Sequence, residues 1–268
     1  MSKEKELVQQ QFGANAAAYL TSTVHAKGAS LARLVELVKP AKSWVALDVA
    51  TGAGHTAAAF APHVSHVVAS DLTPEMLVQV KKLAAEKRFS NMETAIADAE
   101  KLPFSDRSFD LVTCRIAPHH FPNIAKFLAE TYRVLKPGGV FALVDNVSPD
   151  AETTPGFTGP ELHGAALGYN AFEKLRDPSH GRALPTAEWL ELMAASGLEL
   201  RHHEHAPKAM DFASWVKTMQ VPVETVASLK GMLDKASPAL KAFLKPATLD
   251  GKLGFTLDEL IAIAVRPA

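Results

Sequence analysis

The sequence predicts an α/β protein built on a mostly parallel sheet with helices on both faces and a helical cap. Three observations carry that expectation. Short apolar segments alternate with segments of helical periodicity through the first half of the chain, the pattern that stacks parallel strands with crossover helices between them. Pro and Gly punctuate the alternation at helix starts and stops. The first apolar segment, Val45-Ala46-Leu47-Asp48-Val49, runs into Ala50-Thr51-Gly52-Ala53-Gly54, a turn with almost no side-chain bulk, before the next helix. On such sheets ligands bind at the carboxyl ends of the strands, beside the point where strand order reverses.

In chain order, Leu31, Leu34, Val35 and Val38 stand at helical spacing over 28–38, and Lys39-Pro40 stops that helix. Apolar and β-branched runs place strands at 44–49, 64–70, 92–97, 109–114 and 140–145. Between them one helix opens at Pro74 and runs to Ala85. Another covers Ile124 to Leu135, with Lys136-Pro137-Gly138-Gly139 as its stop. Beyond residue 147 the alternation loosens. Residues 148–185, rich in Pro, Gly, Ser and Thr with a short helix at 165–176, read as a cap or lid over the pocket. Thr186 to Ser196 resumes as an amphipathic helix ended by Gly197, 198–203 and 260–266 read as closing strands, and 212–245 as helical. The expected organisation is N-terminal cofactor-covering helices at 1–40, a cofactor-binding core at 41–147, a cap insertion at 148–185, and a C-terminal part at 186–268 that completes the sheet.

Composition excludes several classes of function. With 268 residues and 47% hydrophobic content, the chain can bury a substantial core. Its 28 Lys and Arg against 29 Asp and Glu leave a net charge of −1 with no long basic run, so electrostatics give no support for a nucleic-acid partner. The opening Met1-Ser2-Lys3-Glu4-Lys5-Glu6 lacks the apolar centre of a signal peptide, and no window approaches the ~18 continuous apolar residues of a membrane span. A cytoplasmic location is the expectation. Cys114 is the single cysteine, so an intramolecular disulfide is ruled out and a cysteine-based metal cluster is not expected. His202, His203 and His205 alternate along a strand without a partner pattern for a metal, and are read as solvent-facing.

The small-residue turn lets a ligand lie against the backbone, where the N–H groups opening the next helix face it. Asp48, just before the turn, welcomes an ammonium and repels a diphosphate, which favours an aminoacyl nucleoside such as S-adenosylmethionine over NAD. The turn alone leaves the choice open, because Gly52-x-Gly54-x-x-Ala57 also satisfies the dinucleotide-binding pattern. Asp71, at the end of the second strand, suits the hydroxyls of a ribose, the alternative being a helix N-cap before Pro74. Asp98, after the third strand, suits an adenine amino group with the Ala99 N–H donating to the ring, the alternative being a turn aspartate.

Taken together, Asp48-Val-Ala-x-Gly-x-Gly54, Asp71-Leu72-x-Pro74-x-Met76-Leu77, Asp98-Ala99-x-x-Leu102-Pro103-Phe104, Phe109-Asp110-Leu111-Val112 and Arg133-Val-Leu-Lys-Pro-Gly-Gly139 resemble the class I S-adenosylmethionine-dependent methyltransferases. The resemblance is strongest over 45–145 and departs from the commonest form in placing Ala50 where a glycine often stands. Phe12-Gly-Ala-Asn-Ala-Ala-Ala-Tyr19, His25-Ala-Lys-Gly28, Cys114-Arg115-Ile-Ala-Pro-His119-His120-Phe121 and Arg176-Asp-Pro-Ser-His180-Gly-Arg182 are similar to the small-molecule branch near the ubiquinone/menaquinone-biosynthesis C-methyltransferases. The resemblance implies a Rossmann-like, seven-stranded sheet and S-adenosylmethionine as cofactor. It also implies that Ala50, Gly52 and Gly54 hold the methionine part, with Asp48 binding its ammonium directly or through water. Asp71 and Leu72 would hold ribose and adenine with Met76 packing nearby, Asp98 and Ala99 would read the adenine edge, and Arg115 would face the methionine end unless it is a surface arginine.

Methyl transfer is an in-line displacement in which positioning dominates, worth up to ~7–11 kcal/mol in favourable cases. A general base adds roughly 10²–10⁴-fold where the acceptor carries a proton. His119 and His120, after the fourth strand, are the candidates for base or acceptor positioning. His180 and Arg182 are candidates for acceptor binding, against a solvated loop pair. Tyr19 and His25 are candidates for closing over the cofactor, against simple packing. The expected partner is a small organic acceptor, methylated on C, O or N with release of S-adenosylhomocysteine, and a homodimer is left open. The rival readings are an NAD-dependent oxidoreductase on the same sheet, and a protein that binds the sulfonium to regulate or to use a modified form of it.

Overall fold

The computed structural model describes residues 2–20 and 28–268 and divides the chain into two units. The first comprises Met1–Asp145, Leu190–Glu204 and Ile261–Ala268, and the second Asn146–Trp189 and His205–Leu260.

In the first unit, helices α1 (Lys3–Leu20) and α2 (Ala29–Val38) precede strand β1 (Val45–Val49), helix α3 (His55–Phe60), strand β2 (His66–Asp71), helix α4 (Pro74–Lys87) and strand β3 (Met92–Ile96). Strand β4 (Phe109–Arg115), helix α5 (Ile124–Val134) and strand β5 (Leu135–Asn146) follow. The ladders β3–β2, β2–β1, β1–β4 and β4–β5 are all parallel. Apolar segments such as Val45–Val49 and Phe109–Arg115 are buried almost throughout, as strands covered on both faces must be. Local chemistry sets the helix ends. Pro74 opens α4, whose last turn closes on Arg88 at φ 56, and the Asn123 side chain caps α5 by accepting from the Lys126 N–H at 2.9 Å.

Beyond β5 the strand order continues with β8 (Lys252–Val265) and β6 (Glu199–Asp211), preceded in the chain by helix α7 (Thr186–Ala195), to give β3-β2-β1-β4-β5-β8-β6. Gly138 N–H donates to the Arg266 carbonyl and Arg266 N–H to the Gly139 carbonyl, both at 2.9 Å, so the end of the chain is tied to the start of β5. Strand β5 therefore begins at Leu135, not at Val140. Lys136-Pro137-Gly138-Gly139, read from sequence as a helix stop, is already part of the strand, and this pairing uses the N–H of exposed Gly138, at φ 76, and the carbonyl of buried Gly139. Strand order reverses between β1 and β4, and both strands end on the same side.

The second unit contains helices α6 (Gly159–Arg176), α8 (Phe212–Thr218), α9 (Val223–Asp234) and α10 (Pro238–Leu244), and the hairpin of β7 (Ala247–Leu249) with the start of β8. Helix α6 opens on a capping arrangement in which the Glu161 carboxylate accepts from the Thr158 N–H at 2.8 Å. Its buried face, Ala165, Tyr169 and Phe172, packs with Trp215, Leu229, Leu240, Phe243 and Phe255. Phe172 stacks on Trp215 at 4.8 Å, and Phe255 meets Trp215 edge-on at 4.9 Å. Aromatic pairs of this geometry each add ~0.5–1.5 kcal/mol beyond simple burial. This shared core joins 148–185 to 205–260 in one unit, whereas the sequence pattern separates them.

Candidate functional site

The turn after β1 is held in a left-handed conformation at three of its residues, Ala50 at φ 51, Gly52 at φ 55 and Gly54 at φ 89. Thr51 N–H donates to the Ser70 carbonyl at 2.9 Å and fixes the turn against the end of β2. Its two glycines have different physical duties. A Cβ added at Gly52 would meet no heavy atom within 4 Å and would project into an open cleft, so the backbone there is bare toward a ligand. A Cβ at Gly54 would come within 3.1 Å of a Val80 methyl, so Gly54 lets α3 pack on α4. Gly54 is absent from the cleft lining. Gly52→Ala should weaken cofactor binding about tenfold, because the left-handed backbone costs an alanine ~1–2 kcal/mol and the methyl occupies ligand space. Calorimetry with S-adenosylhomocysteine beside a thermal melt separates that loss from unfolding.

Asp48 lies beneath the turn. Its Oδ1 accepts from Thr113 Oγ1 at 2.6 Å, and its Oδ2 from Thr51 Oγ1 at 2.5 Å and the Ala57 N–H at 3.1 Å. It is absent from the cleft lining and 2% exposed. Asp48 is therefore set back from the cleft surface, where the resemblance implied contact with an ammonium directly or through water. The carboxylate organises the turn and α3 from inside. Burial pushes its pKa up to about 6, opposed by the Thr113 and Thr51 hydrogen bonds and by the charge of Arg115.

The cleft opens at the ends of β1, β2 and β4, at the point of strand reversal, and encloses about 1010 Å³ counting its mouth. Ala50, Gly52, Asp71, Leu72, Met76, Asp98, Ala99, Arg115 and His120 all line it. Asp71 accepts from the Gly52 N–H at 2.9 Å through Oδ2 and from the Thr73 N–H at 2.8 Å through Oδ1, which ties β2 to the turn. Burial raises its pKa, against the pull of those N–H groups. Asp98 turns back on itself by accepting from the Glu100 N–H at 3.0 Å, and receives the Lys5 ammonium on both oxygens at 2.9 and 2.7 Å.

Arg115, at the end of β4, lines the cleft and donates through Nε to Thr56 Oγ1 at 3.2 Å, so it is no surface arginine. The two adjacent histidines differ. His120 lines the cleft, with Phe12 edge-on to its ring at 5.0 Å. His119 does not line it, and its Nδ1 lies 2.6 Å from Oδ1 of the fully buried Asp145. The rings of the pair are 4.2 Å apart. Cys114 is buried, and burial holds its thiol well above the usual range, which removes it as a nucleophile.

His180 and Arg182 belong to the second unit. His180 is buried, with Nε2 at 2.9 Å from Asn170 Oδ1 and its carbonyl accepting from Lys174 Nζ at 2.6 Å, so it staples the chain after α6. Arg182 is exposed and paired with Glu188. The side chain of Tyr19, and His25 altogether, lie outside the described residues. His202 is paired with Glu204 at 2.8 Å, and His205 is half-buried beside Glu152 and Asp258, not solvent-facing. Among the described residues no cluster of His, Cys, Asp and Glu could hold a metal ion. Lys5, Val8 and Phe12 of α1 line the cleft; Phe12 opens the 12–19 segment that carries part of the resemblance, whereas Lys5 and Val8 carry no motif in the sequence. The spacing of three and four that links them to Phe12 is the one available signal.

Comparison with known proteins gives this geometry its family. The family described as a methyltransferase domain matches residues 47–143, which span β1 to β5. The uncharacterised methyltransferase YcgJ of Bacillus subtilis is 34% identical over 226 residues, covering 84% of this chain and 85% of that one. The chain belongs to the S-adenosylmethionine-dependent methyltransferase family. The solved structure of YcgJ superposes on this methyltransferase with a TM-score of 0.81 at 30% identity, covering 89% of this chain and 98% of that one. The protein YafE of Escherichia coli is 32% identical over 208 residues, 78% of this chain and 94% of its own. The ubiquinone/menaquinone-biosynthesis C-methyltransferase of Rickettsia felis is 41% identical over 106 residues, 37% of this chain and 43% of its own.

Proposed function

We propose that this methyltransferase transfers the sulfonium methyl of S-adenosylmethionine to a small organic acceptor and releases S-adenosylhomocysteine. The observation that carries the reading is a single cleft, at the strand-reversal point, that gathers Asp71, Asp98, the bare backbone of Gly52, Arg115 and His120. These residues fit the cofactor in order. Asp98 and Ala99 would take the adenine edge, Leu72 and Met76 its faces, Asp71 the ribose hydroxyls, and Ala50 to Ala53 with Arg115 the methionine end.

When bound, the cofactor supplies a methyl group already activated on a positively charged sulfur, so displacement needs alignment more than covalent help. The chain supplies that alignment. The turn would fix the methionine end, and Asp71, tied to the same backbone through the Gly52 N–H, would anchor the sugar. His120 would hold the acceptor at the other end of the cleft and accept its proton if it carries one. His119, held by Asp145, would position His120 from behind.

Titration calorimetry tests the reading. S-adenosylmethionine and S-adenosylhomocysteine are expected to bind one per chain and NAD not at all. Tight binding of NAD without either sulfur nucleoside would overturn the assignment. Incubating the protein and labelled cofactor with a metabolite pool should then yield a methylated small molecule, and a label confined to protein or nucleic acid would contradict the acceptor class.

A further inference from the structure

Helix α1 presents Lys5, Val8, Gln9 and Phe12 at intervals of three and four, which puts them on one face. That face runs the length of the cleft. At one end Lys5 Nζ bridges Asp98, at 2.9 and 2.7 Å, and Glu100 Oε2, at 2.8 Å. In the middle Gln9 Nε2 donates to the Leu72 carbonyl at 2.7 Å, and at the other end Phe12 meets His120. Lys5 and Glu100 retain only 15% and 10% side-chain exposure, so this bridge is better shielded from solvent and salt than an ordinary surface pair.

We propose that Lys5 is a latch that holds α1 across the adenine end of the cleft and sets the rate at which cofactor enters and product leaves. The inference rests on the cofactor assignment above and adds to it a positioning residue that the family motifs do not include. Asp98 can serve latch and ligand together, because a carboxylate offers about four lone-pair sites and Lys5 with the Glu100 N–H leaves room for a purine amino group. The latch thus closes over a filled site without competing with it. Every passage of ligand requires the Lys5 bridge to open. The hydrogen bonds to Asp98 and Glu100 outweigh burial and raise the Lys5 pKa, so the latch stays charged across the physiological range. Because α1 carries Phe12 onto His120, closing the adenine end also sets the wall at the acceptor end.

The test is surface plasmon resonance with S-adenosylhomocysteine on wild type, Lys5→Met, Lys5→Arg and Glu100→Gln. Lys5→Met is expected to raise both the association and the dissociation rate, dissociation by about tenfold, the scale of one charge-assisted bridge. Lys5→Arg should restore most of the slow dissociation, and Glu100→Gln, which keeps Asp98 and Lys5 in place, should give an intermediate rate. Raising salt to about 0.5 M should speed dissociation from wild type only modestly, as befits a shielded bridge, and leave Lys5→Met nearly unmoved. Dissociation from Lys5→Met at the wild-type rate, with the same salt dependence, would overturn the latch alone. Absence of binding to wild type would overturn the cofactor reading and the latch with it.

Discussion

Replacing Asp71 with asparagine is expected to weaken S-adenosylhomocysteine binding by about a hundredfold while the protein remains folded. The carboxylate has two tasks. Facing the turn it accepts from the Gly52 and Thr73 N–H groups, and under the proposed cofactor reading its remaining lone pairs, facing the cleft, would take the two hydroxyls of a ribose. Asparagine keeps one acceptor oxygen and puts an NH₂ where the other stood. Whichever way the amide turns, one donor then faces either a backbone N–H or a sugar hydroxyl, and the charge that strengthens the remaining bonds is gone. Hydrogen bonds to a charged group are worth ~1.5–3 kcal/mol each, so losing the charge assistance on a pair of them reaches about two decades in affinity. The fold should tolerate the change, because one of the two backbone contacts survives and Thr51 N–H still ties the turn to Ser70. Calorimetry gives the affinity and a thermal melt the folded control. An affinity within about threefold of wild type in a folded variant would remove Asp71 from the cofactor site.

What could be read from the chain follows from how local each signal is. Asp71, Asp98 and the small-residue turn were legible because each marks a strand end within a few residues of its own apolar run, and strand ends are where such sheets bind ligands. Gly52 and Gly54 were not distinguishable, since both adopt positive φ. The difference lies in Val80, on another helix, which crowds one and not the other. The interior bonding of Asp48 was not legible, because Thr113 comes from a strand that neighbours it only in space. His119 and His120 read alike as adjacent residues, and the buried Asp145 that pairs with one of them sits at the far end of β5. Lys5 was invisible for the same reason, since its partners lie more than ninety residues away. In the second unit, the Pro- and Gly-rich composition of 148–160 hid the first turns of α6, and the aromatic core joining it to Trp215 and Phe255 is wholly non-local.

Asp48→Asn is expected to change the pH dependence of stability more than its mid-range value suggests. In the folded protein the Asp48 carboxyl titrates at about 6 against 3.8 for the ordinary group, because burial penalises the charge more than Thr113, Thr51, Ala57 and Arg115 repay it. Between these values the folded state holds a proton that the unfolded chain has released. With more protons on the native side, unfolding free energy falls as pH rises through this window. The contribution of Asp48 is therefore most favourable below about pH 4 and is lost by the time pH passes about 6, the reverse of a salt-bridged carboxylate. The loss totals on the order of 3 kcal/mol at neutral pH and above, given 1.36 kcal/mol per pKa unit. Asparagine cannot ionise, so the stability of the variant minus that of wild type should grow by about 1–2 kcal/mol between about pH 5 and about pH 8. Taking the difference cancels the other titrating groups, including Glu204, which its hydrogen bonds with Arg33 hold down at about 2. Denaturant melts of both proteins at the two pH values measure it. The same variant should bind the cationic cofactor more weakly, since it removes a negative field from beneath the methionine end of the cleft while leaving the lining side chains in place. A stability difference that stays constant with pH would mean that Asp48 ionises normally, and that the three donors around it fully offset its burial.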